Sequence, residues 1–261
     1  MTPETARALS AINRTFYDDC ASAFAVTRTR AWSGFEHIIP RGKPSLRVLD
    51  VGCGNGRFAH TVLSRRHLSP GEPHIAHYVG LDGSEPLLQL ARGARLPFPA
   101  HFQQHDVLQP LPRCGPGAWS GEPAKFDLIV VFGLLHHIPG RSQRRALIEQ
   151  LLPSLATDGR LVLSFFRYER SPRIMKRLQL PLVAAPFDLE AGDHLIPFGD
   201  TGRLRYCHRF DDAELAELAT LPATRLVDRF TPVQGSDTLN DYLILEAAPA
   251  GPQGLPGAQT R

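Results

Sequence analysis

Paired cysteines, long apolar runs and a strong charge of one sign are all missing from this 261-residue sequence. The four cysteines (Cys20, Cys53, Cys114 and Cys207) lie far apart, which predicts free thiols in a reducing compartment and argues against a disulfide framework or a zinc site. No apolar run approaches the roughly 20 residues that a membrane-spanning helix needs. The net charge of +3 does not by itself indicate a nucleic-acid-binding protein.

The first residues, Met1 to Thr5, lack the basic stretch followed by an apolar stretch that is typical of a secretory signal. We therefore expect a cytoplasmic protein that does not enter a membrane. The length suits one domain of roughly 230–250 ordered residues, which is enough for a sizeable core.

A glycine-rich turn follows the first predicted strand. Leu46 to Val51 form that strand, Gly52, Gly54 and Gly56 alternate in the turn, and a helix is predicted to begin near Arg57. Glycine adopts backbone angles closed to other residues and lets a ligand approach the main chain. Unpaired N–H groups at the start of a helix favour an anionic group. The pattern predicts a nucleotide-type cofactor site at the carboxyl edge of a sheet; the alternative is a glycine-rich turn with no ligand.

Further segments continue the alternation of strands and helices. Tyr78 to Asp82 is a predicted strand ending in an acid, which can accept both hydroxyls of a ribose. Phe102 to Val107 is a short segment with a second acid, Asp106. Phe126 to Phe132 and Leu161 to Phe166 are almost wholly apolar, as expected for strands buried on both faces of a parallel sheet.

These features together resemble the class I S-adenosylmethionine-dependent methyltransferases. The resemblance covers about residues 45–166 and rests on the motif from Asp50 to Gly56, on Asp82 and Asp106, and on residues 126–127 and 155–159. It implies an α/β, Rossmann-like fold with a seven-stranded, mostly parallel sheet and helices on both faces, and S-adenosyl-L-methionine as the cofactor. A dinucleotide oxidoreductase is disfavoured, because its fingerprint needs a glycine at position 57, which is arginine.

The predicted domain organisation has three parts. N-terminal helices cover the site over residues 1–44, the methyltransferase domain spans 45–248 with a substrate-side insertion over 167–210, and 249–261 form a disordered tail. Within these parts we expect helices over 4–39, 57–66, 84–90 and 142–156, a surface loop over 109–125, a helix through Ala219 capped by Asp211 or Asp212, and closing strands over 224–230 and 241–247.

The chemistry of the cofactor assigns roles to the residues in these motifs. Backbone groups of the glycine turn are expected to meet the ammonium and carboxylate of the methionine part, Asp82 the ribose hydroxyls, and Asp106 the adenine amino group. For the two aspartates the alternatives are a turn or helix cap and an ordinary strand end. The full predicted cofactor set is Asp50, Gly52, Cys53, Gly54, Gly56, Asp82, Gly83, Asp106, Val107 and Gly133.

Two adjacent histidines, His136 and His137, follow the fourth predicted strand, where this fold borders the transferred methyl group. Neighbouring side chains on a loop diverge, and no third Cys, His or carboxylate stands at ligand spacing, so we predict no metal site. His136 is a candidate general base. Packing against the cofactor is the alternative.

The flanking segments resemble a narrower family, the tRNA wobble-uridine carboxymethyl methyltransferases. The resemblance lies in residues 16–32, 134–146, 193–198 and 205–210. It implies O-methylation of a carboxylate on a modified tRNA uridine, with a small activator protein as partner in eukaryotic members. Exposed apolar strand edges near the cofactor site would support such a partner. The alternatives are a small-molecule metabolite as acceptor and a non-catalytic binding subunit with this fold.

A carboxylate is already anionic at neutral pH, so its methylation requires positioning and exclusion of water but no general base. A guanidinium can hold it through two hydrogen bonds. Arg28, Arg30 and Arg205 lie in segments expected over the site; we predict Arg28 and Arg205, with His136, as the catalytic residues. The alternative for each arginine is a solvated surface position.

A basic run follows the fifth predicted strand at the active-site edge. It holds one acid, Glu169, against five basic residues: Arg167, Arg170, Arg173, Lys176 and Arg177. Such a run can follow the phosphates of a tRNA. A solvated helix face is the alternative.

Overall fold

A central seven-stranded sheet organises the computed structural model, which describes residues 1–26, 32–40, 42–112, 124–178, 187–198, 202–232 and 238–248. The strand order is β3-β2-β1-β4-β5-β9-β8. Pairing is parallel from β3 through β5 and antiparallel between β5, β9 and β8, as predicted. The strands are β1 (Ser45–Val51), β2 (His74–Asp82), β3 (Ala100–Gln104), β4 (Phe126–Val131), β5 (Leu155–Phe166), β8 (Thr224–Phe230) and β9 (Asn240–Ala247).

The central strands are apolar because both faces of the sheet are covered. All six residues of β4 are buried, and the four from Leu128 to Val131 alternate between two apolar clusters. Ile129 and Val131 pack on one face with residues of α5 and α7, while Leu128 and Val130 pack on the other with residues of α4. The helices are α1 (Pro3–Asp19), α2 (Ala21–Val26), α3 (Ser64–His67), α4 (Glu85–Gly93), α5 (Arg141–Leu151), α6 (Pro172–Leu178) and α7 (Asp212–Ala219).

Helix ends follow their capping residues. The Thr2 hydroxyl accepts a hydrogen bond from the Thr5 N–H at 3.2 Å, with Pro3 in the first turn of α1. Asp211 caps α7 by accepting from the Glu214 N–H at 2.7 Å, which confirms the predicted cap.

Several predicted boundaries need correction. The helix predicted over 142–156 ends at Leu151, where a short 3₁₀ turn carries Pro153, and β5 already begins at Leu155. Proline has no N–H to continue a helix. The helix predicted over 57–66 contains a π-helical turn, Ala59–Leu63, before α3. The helices expected over 4–39 are α1, α2 and a 3₁₀ turn, Ser33–Glu36; residues 27–31, most of the 109–125 loop and the tail from 249 lie outside the described residues.

A separate hairpin, β6 (Asp193–Pro197) and β7 (Leu204–His208), lies in the predicted insertion over 167–210. The buried Asn13 of α1 holds it in place: its Oδ1 accepts from the Tyr206 N–H at 2.8 Å, and its Nδ2 donates to the Tyr206 carbonyl at 3.1 Å and to the His137 carbonyl at 3.2 Å. One amide thus joins α1, the hairpin and the segment after β4. Among the described helices, none has the length and apolar character to cross a membrane.

Candidate active site

A cavity of about 900 Å³ lies at the carboxyl ends of β1, β2 and β4, beneath α1 and the β6–β7 hairpin. This volume is near the upper end of the usual range for small-molecule sites, about 300–1,000 Å³. Ten of the predicted site residues line it: Gly52, Cys53, Gly54, Asp82, Gly83, Asp106, Val107, Gly133, His136 and Arg205.

The glycine turn shapes the floor of the cavity. Gly52 and Gly54 have φ angles of +79° and +56°, which side-chain-bearing residues rarely adopt. A Cβ atom at Gly52 would stand 3.0 Å from the Leu134 side chain, whereas at Gly54 it would meet nothing within 4 Å. The main chain at Gly54 is therefore open to a ligand.

Two predicted cofactor residues lie elsewhere. Gly56 does not line the cavity; a Cβ atom there would stand 2.8 Å from His60 and 3.2 Å from Ala91, so this glycine allows the helix after the turn to approach α4. Asp50 points under the sheet edge, where its carboxyl accepts from the Tyr78 hydroxyl at 2.7 Å. Burial raises the pKa of Asp50 to about 7. Its side chain is directed into the core and does not line the cavity, so its contact with the cofactor stays a prediction.

Asp82 and Asp106 face the cavity from the ends of β2 and β3. Asp82 accepts from the Gly54 N–H at 2.8 Å and from the Ser84 N–H at 2.9 Å. Burial raises the pKa of Asp82, while these N–H groups act to lower it. Each carboxylate oxygen retains a lone pair for a hydroxyl donor.

Asp106 has a partner that the sequence did not predict. Its Oδ2 accepts from Arg14 Nη2 of α1 at 2.9 Å, and its Oδ1 accepts from the Leu108 N–H at 3.0 Å. Nothing in the sequence signals this ion pair, since 92 residues separate the two side chains.

The two histidines are buried and lie against each other, with ring centroids 3.9 Å apart. His137 Nδ1 lies 2.8 Å from the Tyr206 carbonyl and its Nε2 2.6 Å from the Tyr17 hydroxyl. The carbonyl can only accept, so Nδ1 carries the proton and the Tyr17 hydroxyl donates to Nε2. His137 therefore joins three elements.

The reasoning that set aside a metal site is partly wrong. The hairpin brings Cys207 Sγ to 3.8 Å from His137 Nδ1, so ligand atoms of His136, His137 and Cys207 lie within 4.8 Å of one another. Chain spacing could not reveal this. Both ring nitrogens of His137 are nevertheless engaged by protein groups, and burial raises the pKa of the Cys207 thiol to about 11. Cys20, Cys53 and Cys207 are free thiols, and Cys114 lies outside the described residues.

Arg205 is a buried cation in the cavity wall. It is 8% exposed, interacts with the Tyr17 hydroxyl, and has the rings of Phe16 and Phe198 at 5.9 and 5.7 Å. Among the described residues, the Arg205 Nε has no hydrogen-bond partner. Burial acts to lower the pKa of Arg205, while Cys207 and Tyr17 raise it; no carboxylate is among these causes. Arg28 and Arg30 lie outside the described residues, so their predicted places over the site stay predictions.

The basic run is less cationic than its sequence indicates. Arg167 and Arg170 both pair with Asp241 of β9, at 2.8 and 2.7 Å. Exposed charge remains on Arg173, which lines the cavity, and on Lys176. The sequence could not show this neutralisation, because the acid comes from a strand some 70 residues away.

Comparisons with known proteins agree with this geometry. Residues 49–161 match the family model described as a methyltransferase domain. A crystal structure of an S-adenosylmethionine-dependent methyltransferase from Methanosarcina mazei superposes with a TM-score of 0.57 at 19% identity, covering 84% of this chain and 99% of the other. The DhpI–SAH complex superposes with a TM-score of 0.56 at 17% identity, covering 93% and 98%.

Two curated relatives match this chain over less than half of their own length. "Probable tRNA methyltransferase 9B" of Mus musculus is 25% identical over 173 residues, which are 66% of this chain and 33% of the relative. The chain thus matches about a third of that relative's length. The ubiquinone biosynthesis O-methyltransferase of Pasteurella multocida (strain Pm70) is 35% identical over 114 residues, 42% of this chain and 43% of the relative.

The fold and the cavity define a Rossmann-like protein with a nucleotide-type cofactor site. Together with the methyltransferase domain matched over residues 49–161, they support a class I S-adenosylmethionine-dependent methyltransferase with S-adenosyl-L-methionine as its cofactor. The cavity fits this cofactor, because an open glycine main chain and two carboxylates line one continuous space.

Proposed function

We propose that this enzyme methylates a carboxylate oxygen, and that the carboxylate belongs to a modified uridine of tRNA. The state of Arg205 is the observation that supports a carboxylate acceptor. Its guanidinium is buried and lines the cavity, and it has no acidic partner among the described residues. Burying a cation is unfavourable unless an anion compensates it. An acceptor carboxylate would provide that compensation.

The surroundings of Arg205 suit such an acceptor. The rings of Phe16 and Phe198 border the guanidinium and limit its access to water, which strengthens its attraction for an anion. A planar guanidinium can hold a carboxylate through two hydrogen bonds and so fix the direction of the attacking oxygen.

Proton transfer is not required of the histidines in this reaction. S-adenosylmethionine supplies an electrophilic methyl group, and a carboxylate is anionic at neutral pH. His137 positions α1 and the hairpin through its two hydrogen bonds, and His136 forms part of the cavity wall beside Phe166, at a ring distance of 5.1 Å. We therefore propose a packing role for His136 in place of the predicted general base.

Support for tRNA comes from two sources. The relative named as a probable tRNA methyltransferase covers two thirds of this chain. Arg173 lies at the cavity and Lys176 is exposed on the same helix, α6, where they can contact phosphates. For a small activator protein, the family resemblance is the only support. An apolar strand edge would favour such a partner, but the edge strand β3 exposes Ala100, His101 and Gln104, which form no large apolar strip.

A small carboxylic acid is the second candidate acceptor. The neutralisation of Arg167 and Arg170 by Asp241 reduces the surface available for phosphates. The match to an O-methyltransferase of ubiquinone biosynthesis is compatible with a small-molecule acceptor.

Methyl transfer from labelled S-adenosylmethionine to bulk tRNA tests the proposal directly. The tRNA comes from a strain that lacks this protein, and nucleoside mass spectrometry identifies the product. A new methyl ester on a uridine is the expected result. No incorporation by protein that binds S-adenosylhomocysteine, with or without cell extract as a source of a partner, would exclude tRNA as the acceptor.

Replacing Arg205 by methionine tests the carboxylate site. We expect turnover to fall about 100-fold or more, because a charge-assisted bidentate contact contributes roughly 1.5–3 kcal/mol and fixes the geometry of attack. Affinity for S-adenosylhomocysteine should stay within about twofold, and the free energy of unfolding should not decrease, since the variant removes a buried cation. Arg203→Met, two residues away and half exposed in a pair with Asp19, is the matched control. Equal loss of turnover and cofactor affinity would contradict the assignment.

A further inference from the structure

The two ends of the cavity differ in chemistry. Asp82 and Asp106 mark one end, above β2 and β3. The opposite end lies above β1 and β4 and is bordered by Gly133, Trp32 and Arg57. If the adenosine part of the cofactor lies at the two aspartates, its amino-acid part extends over β1 and β4.

At this second end the guanidinium of Arg57 is stacked against an aromatic ring. Its guanidinium carbon lies 3.9 Å from the centroid of the Trp32 ring and 5.6 Å from that of Phe35. Trp32 in turn reaches the segment after β4: a Cβ atom at Gly133 would stand 3.3 Å from the tip of the Trp32 ring. Trp32 therefore lies between the segment after β4 and Arg57, and supports the Arg57 guanidinium from one side.

Arg57 also stands beside the glycine turn. It is the first residue of the helix that follows Gly56, and its charge acts on the buried Asp50 carboxyl from the other side of the turn. A guanidinium stacked on a ring lies parallel to it and directs its N–H groups sideways, toward the edge of the stack, where a carboxylate can be bound.

We propose that Arg57, stacked on Trp32, binds the carboxylate of the methionine part of the cofactor. The N–H groups of Gly52, Cys53, Gly54 and Gly56 already donate to protein acceptors, so a full positive charge on Arg57 is the stronger attraction for an anion here. The other interpretation is that Arg57 and Trp32 only seal the apolar cluster around Phe35.

A pair of ligands that differ only in the carboxylate separates the two interpretations. Calorimetry would measure binding of S-adenosylmethionine and of its decarboxylated form, which keeps the adenosine, the sulfonium and the amine. The wild-type protein should prefer the carboxylated ligand. In Arg57→Gln this preference should fall about 10- to 100-fold, as expected for loss of a charge-assisted contact, while the affinity for decarboxylated S-adenosylmethionine changes less than about threefold.

Two controls keep the outcome interpretable. Arg57→Lys retains the charge but not the flat stack, and should lose part of the preference. Asp82→Ala should weaken both ligands by the same factor, because its predicted partner is the ribose that both ligands share. An unchanged preference in Arg57→Gln, or equal weakening of both ligands, would overturn the proposal. If Asp82→Ala affected neither ligand, the placement of the adenosine end would fail, while the Arg57 comparison would still report on the carboxylate.

Discussion

At the scale of single residues, Asp82 connects the glycine turn to the cavity. Its carboxylate accepts from the Gly54 and Ser84 N–H groups, and so fixes the turn while it faces the ligand. This arrangement explains why an acid is needed at the end of β2 even before a ribose binds. Buried N–H groups that lose their acceptor are costly, by about 1–3 kcal/mol each.

We therefore expect Asp82→Ala to weaken binding of S-adenosylhomocysteine by about 10- to 100-fold, through loss of the ribose contact and loosening of the turn. Isothermal titration calorimetry measures the effect. Asp158→Ala, an exposed acid on β5, is the matched control and should bind like the wild-type protein. Unchanged affinity in Asp82→Ala would refute the ribose assignment.

At the scale of elements, the β6–β7 hairpin depends on a buried charge network. His208 lies between two carboxylates, 2.7 Å from Asp193 and 2.9 Å from Glu214 of α7. Arg144 of α5 is 1% exposed; it donates to Glu214 at 2.7 Å and to Glu190 at 3.3 Å. The network ties α5 and α7 to the strand that carries Arg205.

Protonation of His208 should make the stability of the protein depend on pH. Burial acts to lower the pKa of His208, but its hydrogen bonds to Asp193 and Glu214 outweigh burial and raise the pKa above 6.5. Burial acts to raise the pKa of Glu214, but the contacts of Glu214 with His208 and Arg144 outweigh burial and lower that pKa to about 2. A raised histidine pKa stabilises the fold fully below pH 6.5, and this contribution is lost as the pH rises through the raised value.

The melting temperature of the wild-type protein should therefore fall relative to that of His208→Gln as the pH is raised above 6.5. Scanning fluorimetry at a series of pH values follows this difference. His37→Gln, at an exposed histidine, should give a curve parallel to the wild type. Parallel curves for His208→Gln and wild type would show that His208 is not charged in the folded protein.

At the scale of the whole molecule, the distribution of charge decides between the two acceptor classes. The basic run after β5 contributes less free charge than its sequence suggests, because Asp241 neutralises Arg167 and Arg170. Among the side chains that the structure describes in this run, Arg173 and Lys176 remain exposed for contact with phosphates.

Charge reversal tests that surface. The double variant Arg173→Glu, Lys176→Glu should raise the dissociation constant for tRNA about tenfold or more and reduce its salt dependence, since phosphate contacts release counterions. Filter binding at several salt concentrations measures both. Arg95→Glu, Lys125→Glu, with both residues exposed near the amino ends of β3 and β4, is the matched control. Equal tRNA affinity in the test and control variants would remove α6 from the binding surface.

The sequence by itself determined the sheet, its approximate strand boundaries and the place of the cofactor turn. These features depend on local chemistry: apolar runs form buried strands, and glycines permit the positive φ angles that the turn requires. Only the tertiary structure decided the rest. It turned Asp50 into the core, paired Arg14 with Asp106, brought Cys207 to His137 and neutralised two of the five cations in the basic run. Each of these contacts joins residues far apart in the chain, and side-chain direction and long-range pairing follow from packing, which no local pattern records.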